Sequence, residues 1–282
     1  MNSVPAMPLE DELGDVLEKA MRRSGLDEQA LALRADVAMA KIRDAIDYRP
    51  DFTGDELRRL AAALDLNEVG FCALGRGRYP LPEIEGLPFG LWPLRMPHGI
   101  GFANAYVVAE SGSSRGLLFD TGPDIDALES VWPAAIPELD AVFLTHVETE
   151  HAGGLCEVVE RFGGPGAFVP RGVAAPCGTP VGEGETRVFG RLEIAIFSTP
   201  GHSPADNCYL VRAPSIPHGR PLLVSGDLVF AGSAGGGYFC HRQLQTHLRR
   251  MLSAVPPETV IAPGHGPLTT VENELRYNPF LV

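Results

Sequence analysis

The apolar residues in the first quarter of the chain recur at the three- and four-residue spacing of an amphipathic helix. The first such helix is marked by Leu13, Val16, Leu17, Ala20 and Met21. Asp27 and Asp36 are predicted to cap a second and a third helix. Thr53, with Glu56 three residues later, forms a capping box for a fourth helix, and Asn67 begins a fifth. The pattern predicts a small all-α domain over residues 1–75.

From about residue 88 the pattern changes to short apolar runs that alternate with helical stretches. Strands are predicted over 103–109, 116–119, 141–144, 167–169, 187–197, 208–212, 221–224 and 260–262. Helices are predicted over 125–132, 155–161 and 241–252. This alternation is typical of an α/β layered domain over residues 88–282. The intervening residues 76–87 are rich in Pro and Gly and are predicted to be a linker.

Composition narrows the class of protein. The chain has 282 residues, of which 45% are hydrophobic, so a sizeable core is expected. No uninterrupted apolar run reaches the roughly 18 residues of a membrane span, and no signal peptide is visible. The five cysteines are widely scattered without a CxxC pair, which favours reduced thiols and a cytoplasmic location. A net charge of −13 disfavours a surface built for nucleic acid or anionic lipid.

The densest cluster of metal-binding side chains directly follows the strand predicted over 141–144. It lies in the run Thr145-His146-Val147-Glu148-Thr149-Glu150-His151-Ala152-Gly153-Gly154. Two imidazoles and two carboxylates in one short turn are costly to bury unless a cation pairs with them. The run therefore indicates half of a metal site.

Further donors follow other predicted strands, each beside Gly or Pro. They are Asp120 in FDTG, His202 in TPGHSP, Asp227 in SGD and His265 in PGHGP. Gly and Pro fix tight turns there and let the backbone approach a site. A single histidine in such a turn would be unremarkable, but its recurrence after several strands indicates one shared site.

The order of these motifs resembles that of the metallo-β-lactamase fold superfamily over residues 88–282. The resemblance implies an α/β, four-layer αββα sandwich with two divalent metal ions at one edge of the sheets. The implied ligands are His146, Glu148 and His202 for the first ion and Glu150, His151 and His265 for the second, with Asp227 bridging both. Asp120 would orient the ligands through hydrogen bonds.

Two positions depart from the usual HxHxDH pattern of that family, because Glu148 replaces a histidine and Glu150 an aspartate. Zinc accepts imidazole and carboxylate ligands, and iron or manganese also suits such a mixed set. The HxE variant resembles the di-iron domain of flavodiiron proteins. Glu150 departs from that pattern as well and is one methylene longer than aspartate, so it could bind differently or act as a base beside a single metal. A metal-free descendant is the alternative, although all seven positions keep a competent donor.

The stretches 226–233 and 264–280 resemble glyoxalase II-like thioester hydrolases. This implies a metal-dependent hydrolase in which a metal-bound hydroxide attacks a thioester, ester or lactone of a small-molecule substrate. Asp227 or Glu150 would hold the water and move its proton, and Tyr238 would donate to the oxyanion. His98 is predicted to lie in a loop before the first strand.

A second hypothesis is a di-iron protein that binds or reduces dioxygen or nitric oxide. No flavodoxin-like domain follows residue 265, so such a protein would act as a sensor or depend on a separate reductase.

A third hypothesis is a transcription regulator, because residues 24–35 and 57–64 resemble lambda-repressor-like helix-turn-helix domains. In that family the helix over 37–47 would enter the major groove. Here it presents Ala38 and Ala40, which cannot hydrogen-bond a base edge. Residues 1–75 carry nine Lys or Arg against fifteen Asp or Glu, a net charge of −6 that opposes phosphate contacts. We expect a packing module, or a homodimer contact, rather than a DNA reader.

Overall fold

The computed structural model describes residues 7–282, and its first part is helical. The helices are α1 (Leu13–Ser24), α2 (Glu28–Ala35), α3 (Met39–Ile46), α4 (Gly54–Leu64) and α5 (Glu68–Gly75). The side chains of Asp27, Thr53 and Asn67 accept hydrogen bonds from first-turn amides of α2, α4 and α5, as predicted. Asp36 instead ends α2 in a left-handed conformation, and α3 begins two residues after Val37 without a side-chain cap.

The remainder contains two six-stranded sheets and five more helices. The strands are β1 (Phe89–His98), β2 (Gly101–Glu110), β3 (Arg115–Phe119), β4 (Glu138–Phe143), β5 (Gly166–Pro170), β6 (Thr179–Val181), β7 (Thr186–Phe189), β8 (Leu192–Ser198), β9 (Asn207–Arg212), β10 (Leu222–Gly226), β11 (Val260–Pro263) and β12 (Thr269–Thr270). The helices are α6 (Ile125–Ser130), α7 (Thr149–Ala152), α8 (Leu155–Arg161), α9 (His241–Ala254) and α10 (Val271–Tyr277). One sheet has the order β1-β2-β3-β4-β5-β6, and the other β12-β11-β10-β9-β8-β7.

Two predictions about strands were wrong. No strand is predicted over the residues of β1, where Pro93 and Pro97 stand. An edge strand tolerates proline, since one row of its amides has no partner strand. His98 is therefore the last residue of β1 and does not lie in a loop. The single strand predicted over 187–197 is a hairpin, in which Gly190 supplies the positive φ of the turn between β7 and β8.

The two sheets pack face to face, with helices on both outer sides. Between them lies an aromatic cluster in which Phe119, Phe143 and Tyr209 have ring centroids 5.2 to 5.7 Å apart. Leu128 of α6 and Val158 of α8 pack on the outer face of the first sheet. Helix α9 packs on the outer face of the second sheet. The predicted α/β, four-layer αββα sandwich is confirmed.

Helices α1 to α5 extend the helical layer that covers the second sheet. They share one apolar cluster with the sandwich, whose members include Leu17, Phe71, Leu228, Leu244 and Phe280. The backbone amide of Asn67 donates to the carbonyl of Pro279 at 2.8 Å. Gly70 lies so close to the carbonyl of Tyr277 that a Cβ would be 1.5 Å from its oxygen. The helical segment is thus packed closely against the end of the chain.

Residues 76–87 contain neither helix nor strand. Within them, the hydroxyl of Tyr79 donates to the buried carboxylate of Glu274 at 3.0 Å, which fixes the connection to α10. Over residues 7–282, no helix combines the length and the apolar character that crossing a membrane requires.

Candidate metal centre

Five of the predicted site residues follow the carboxyl ends of strands. Asp120 and His146 follow β3 and β4 of the first sheet, whereas His202, Asp227 and His265 follow β8, β10 and β11 of the second. The apolar residues of the strands are buried in the core. The Gly- and Pro-rich turns place these side chains at a common edge of the two sheets. His151 joins them from the one-turn helix α7.

The four histidines share one arrangement, in which Nδ1 is held by the surrounding protein. Nδ1 of His146, His151, His202 and His265 lies 2.9 Å from Thr145 Oγ1, 3.2 Å from Asp120 Oδ2, 2.9 Å from the Gly236 carbonyl and 2.7 Å from the Phe102 carbonyl, respectively. A carbonyl can only accept, so Nδ1 of His202 and of His265 carries the proton. This fixes the tautomer that leaves Nε2 free as a metal ligand.

The free edges of these rings converge on Asp227. Nε2 of His151 and of His265 are 3.3 Å apart. The carboxylate oxygens of Asp227 lie 3.6 Å from Nε2 of His202 and of His265 and 3.7 Å from Nε2 of His151. His146 Nε2 and Asp227 Oδ1 are buried without a hydrogen-bond partner. Buried polar atoms are rarely left unpaired, and two of them facing one point fit a cation site.

All seven predicted ligands come together, in the combinations the family resemblance implied. Three overlapping groups have ligand atoms within 4.8 Å of one another: His146, Glu148 and His202; Glu150, His151 and His265; and His146, His151 and Asp227. The donor set of imidazole nitrogens and carboxylate oxygens fits two divalent ions. The first two groups would each hold one ion, and Asp227 lies within reach of both.

The charged side chains of the site shift one another's pKa values. Burial lowers the pKa of His151, but its hydrogen bond to Asp120 and the nearby carboxylates outweigh this and raise it to about 9. Burial also lowers the pKa of His202, but the hydrogen bond to Glu148 and the charge of Asp227 outweigh it and raise that pKa to about 9. The surrounding imidazoles overcome burial and hold the pKa of Asp227 well below its usual range. A divalent cation would replace the protons that His151 and His202 bind.

Asp120 supports the site from beneath. Its carboxylate accepts hydrogen bonds from the backbone amide of Thr145 at 2.7 Å and from the Thr145 hydroxyl at 2.8 Å, and it lies beside His151 Nδ1. It therefore holds both ends of the run that carries four ligands. Asp120 adopts a φ of 61°, an uncommon conformation for a residue other than glycine.

Gly264 shows how closely the backbone approaches the centre. A Cβ at this position would lie 2.2 Å from Asp227 Oδ1 and 3.0 Å from the His151 ring. Only glycine fits between these two side chains, which explains the PG preceding His265.

The remaining predicted residues lie at the mouth of the site. The side chains of Glu148 and Glu150 are 40% and 22% exposed, against 0% for His151. Glu148 Oε1 lies 3.1 Å from His202 Nε2, and Glu150 Oε2 lies 3.6 Å from Nε2 of His98. Tyr238 packs its ring edge-on against His202, with centroids 5.4 Å apart, and is 71% exposed.

A cavity of about 270 Å³ opens over the ligands. One wall consists of the ligands Glu148, Glu150, His202, Asp227 and His265. The opposite wall comes from the helical segment and contains Glu10, Asp11, Asp15, Glu18, Lys19 and Arg22. Glu10 Oε1 lies 3.8 Å from Nδ1 of His265, and burial raises the pKa of Glu10. Sequence reasoning missed this second wall, because acidic residues before and within an amphipathic helix carry no signal for a site.

The sequence and the fold are similar to those of known proteins. A family model described as the metallo-beta-lactamase superfamily matches residues 98–265. YqgX of Bacillus subtilis (strain 168), a probable metallo-hydrolase, is 31% identical over 214 residues, which cover 66% of this chain and 96% of YqgX.

Solved structures show the same similarity. The crystal structure of TTHA1623 in a di-iron-bound form is 30% identical with a TM-score of 0.53, covering 67% of this chain and 100% of that one. The crystal structure of BLEG-1 B3 metallo-beta-lactamase is 26% identical with a TM-score of 0.54, covering 68% of this chain and 100% of that one. Helices α1 to α5 lie before the first residue of the family model.

Proposed function

The chain belongs to the metallo-β-lactamase superfamily, and from that premise we propose that it is a metal-dependent hydrolase acting on an ester, thioester or lactone. The observation that carries the proposal is the convergence of four imidazole edges on Asp227 at the bottom of an open cavity. The relative YqgX is named a probable metallo-hydrolase, which supports the same class of chemistry.

The residues that would hold two divalent ions are those of the two outer groups, with Asp227 between them. Such ions, when bound, lower the pKa of water toward about 7 and polarise a substrate carbonyl. The protein's own contribution is preorganisation. The fixed Nδ1 contacts aim each imidazole before any ion arrives, so that binding costs little rearrangement.

Two residues of the cavity suit proton transfer and oxyanion stabilisation. Glu150 is the proposed proton acceptor, because its carboxylate lines the cavity and His98 lies beside it. Asp227 is less suited to leave its position, since it contacts three histidines. The exposed hydroxyl of Tyr238 is the proposed donor to the oxyanion, with its ring braced against His202.

Zinc or iron would suit the ligand set, and one observation favours iron. The relative TTHA1623, which is 30% identical, has been crystallised in a di-iron-bound form. Glu148 adds a carboxylate where a histidine is usual, which increases the hard-donor character of the site. Iron also keeps open the second candidate function, a di-iron protein that binds or reduces dioxygen or nitric oxide.

One experiment separates these functions. Protein reconstituted with zinc or with iron is assayed against chromogenic esters, thioesters and lactones, and the iron form is also followed by visible absorption under oxygen and nitric oxide. Metal-dependent hydrolysis that disappears in Asp227→Asn supports the hydrolase. Absence of turnover with every metal, together with visible bands that respond to oxygen, would replace it with the di-iron function.

We further propose that helices α1 to α5 serve packing and not DNA reading. The two basic residues of α3 are both paired with carboxylates: Lys41 with Glu56 at 2.9 Å, and Arg43 with Glu28. Neither cation is free for a phosphate. A gel-shift assay with random duplex at low salt is expected to show no retardation at micromolar protein, whereas retardation would contradict the proposal.

A further inference from the structure

A second cavity lies beside the metal cavity, and its position suggests a use. It has a volume of about 130 Å³ and lies between α1, the glycine-rich stretch 234–237 and α9. Lys19, Arg22, Gly236 and Tyr238 line both cavities, so the two are neighbours across one short divide. A group that extends from the metal cavity past Tyr238 would enter this space.

The backbone between the two cavities contacts residues of the metal centre. The carbonyl of Gly236 accepts the hydrogen bond from His202 Nδ1 at 2.9 Å. Gly235 lies against Asp227, where a Cβ would be 1.9 Å from the backbone oxygen. A molecule in the second cavity would therefore lie against the same backbone that positions two of the ligands.

Helix α1 is clamped to this backbone by a buried network. Lys19 Nζ donates to the carbonyl of Ala234 at 2.8 Å and to the carboxylate of Asp11. Asp11 also accepts a hydrogen bond from the hydroxyl of Ser233. The side chains of Lys19 and Asp11 are 16% and 9% exposed, so the network is mostly shielded from water. The outer wall of the second cavity is thus a fixed part of the structure.

The lining of the second cavity is mostly apolar but contains two polar atoms without a hydrogen-bond partner. Leu244 and Phe280 provide apolar surface. His241 Nε2 and Gln245 Nε2, both on α9, are buried without a hydrogen-bond partner. Gln245 Nε2 can only donate, so it requires an acceptor. A buried donor without an acceptor is costly, which makes these atoms a place for a ligand oxygen.

We propose that this second cavity binds an uncharged arm of the substrate, which ends in a compact apolar group and carries a hydrogen-bond acceptor for Gln245. The proposal rests on the proposed hydrolase function, since the other end of the substrate would lie at the metal centre. Its size suits a ring of six carbons, because engineered cavities of about 150 Å³ bind benzene. The two cations in its lining, Lys19 and Arg22, are already paired with Asp11 and Glu18, which disfavours an anionic arm.

Helix α1 would then determine specificity, although it lies before the residues that the family model matches. Sandwich residues provide the metal ligands and the inner wall, and α1 provides Lys19 and Arg22 on the outer wall. The selection of substrates would differ from that of relatives without this helix.

Binding is tested first without any metal, so that it does not depend on hydrolysis. Benzamide, a ring of the right size with a carbonyl acceptor, is titrated into chelator-treated full-length protein and followed by saturation-transfer NMR. Wild type is expected to bind with a dissociation constant of the order of millimolar. Gln245→Leu should weaken binding about fivefold, the value of one net hydrogen bond. Gln245→Phe should abolish it by filling the space.

The matched control is Gln243→Leu, on the exposed side of the same helix, which should bind benzamide as wild type does. No binding by wild type, or equal binding by all variants, would overturn the proposal. Far-UV circular dichroism confirms that each variant is folded.

A second measurement links the cavity to turnover. The ratio of kcat/KM for p-nitrophenyl phenylacetate over p-nitrophenyl acetate should fall at least about tenfold in Gln245→Phe, because the additional phenyl ring loses its space. It should not change in Gln243→Leu. An unchanged ratio in Gln245→Phe would overturn the proposal. Absence of ester turnover in wild type would contradict the hydrolase function instead, and the benzamide titration would still decide whether the cavity binds an arm.

Discussion

The floor and the rim of the metal cavity are built in different ways. We define the floor as His146, His151, His202, His265 and Asp227, and the rim as Glu148, Glu150, Tyr238 and the cavity-lining residues of α1. Every histidine of the floor has its Nδ1 held by a carbonyl, a hydroxyl or a carboxylate. The two glutamates of the rim lack such contacts, and their side chains are 40% and 22% exposed.

This difference separates the residues whose positions are fixed by the fold from the residues that can vary. Four of the five floor residues follow strand ends whose positions are fixed by the core, and His151 is held against Asp120 at the end of β3, so their geometry is set by folding. The rim residues come from α7 and its N-cap, from the glycine-rich stretch before α9 and from α1, so they can change without disturbing the sheets. We infer that the floor determines whether metal binds and the rim determines which metal and which substrate.

The largest effect is expected from Asp227→Asn. The substitution removes the charge that three histidines share, so bound metal should fall to a small fraction of the wild-type content. Metal analysis after dialysis measures it. The matched control is His218→Asn, in an exposed loop with positive φ that asparagine tolerates, which should keep its metal. Full metal content in Asp227→Asn would contradict the assignment of the floor.

A smaller loss is expected from Asp120→Asn, because Asp120 supports His151 and Thr145 but is not one of the seven proposed ligands. The amide keeps the shape of the side chain but loses charge, so the hold on His151 and Thr145 weakens. Metal affinity should fall about 10- to 100-fold, the usual range for such supporting residues. Competition with a chromophoric chelator gives the affinity, and an unchanged value would show that His151 needs no support.

At the rim, Glu148→His should alter preference more than affinity. It restores the donor usual in the family and replaces an anionic oxygen by a neutral nitrogen, so zinc should be favoured over iron relative to wild type. Loading from an equimolar mixture of zinc and ferrous iron under anaerobic conditions measures the ratio. Glu150→Gln provides the comparison, since it removes a charge without adding an imidazole ligand. If Glu148→His lost all metal, Glu148 would belong with the floor.

The smallest effect is expected farther away, in the capping box of α4. The Thr53 amide and Lys41 bind Glu56 and lower its pKa to about 2 from an ordinary 4.5. A lowered pKa stabilises the folded state above the ordinary value, and this stabilisation is lost as pH falls from about 4.5 to 2.

Glu56→Gln should therefore reduce the free energy of unfolding at pH 7 by about 1 kcal/mol, with a smaller reduction near pH 2. Urea unfolding at both pH values measures it. Metal content should match wild type, since Glu56 lies in the helical segment away from the ligands. A change in metal content would contradict the separation of floor from distant supports.

The same division describes what could be learned from the sequence. The floor was predictable because His202, Asp227 and His265 each follow an apolar strand and a Gly-containing turn, and because His146 and His151 lie in one donor-rich run after an apolar strand. These signals are local. The first helix and the capping box at Thr53 were predictable for the same reason. Strand β1 was not predicted, because its two prolines break the alternation of apolar and polar residues. An edge strand tolerates those prolines.

The wall formed by α1 could not be predicted, since it depends on how two distant segments pack. The side chains of Asp15, Glu18 and Arg22 look like an ordinary exposed helix face in the sequence. Only the burial of Leu17 in the core that includes Leu244 turns that face toward the metal cavity. Lys19 and Ala234 are separated by 215 residues, and the local pattern of apolar and polar residues does not indicate a contact between them.

The most direct test of the two-metal centre is the metal content of the wild-type protein. Purified protein is stripped of metal with a chelator and reloaded separately with zinc and with ferrous iron. After excess metal is removed, the bound metal is measured by inductively coupled plasma mass spectrometry. The convergence of seven donors predicts two ions per chain with at least one of these metals. Less than one ion per chain with both metals would contradict the centre described here.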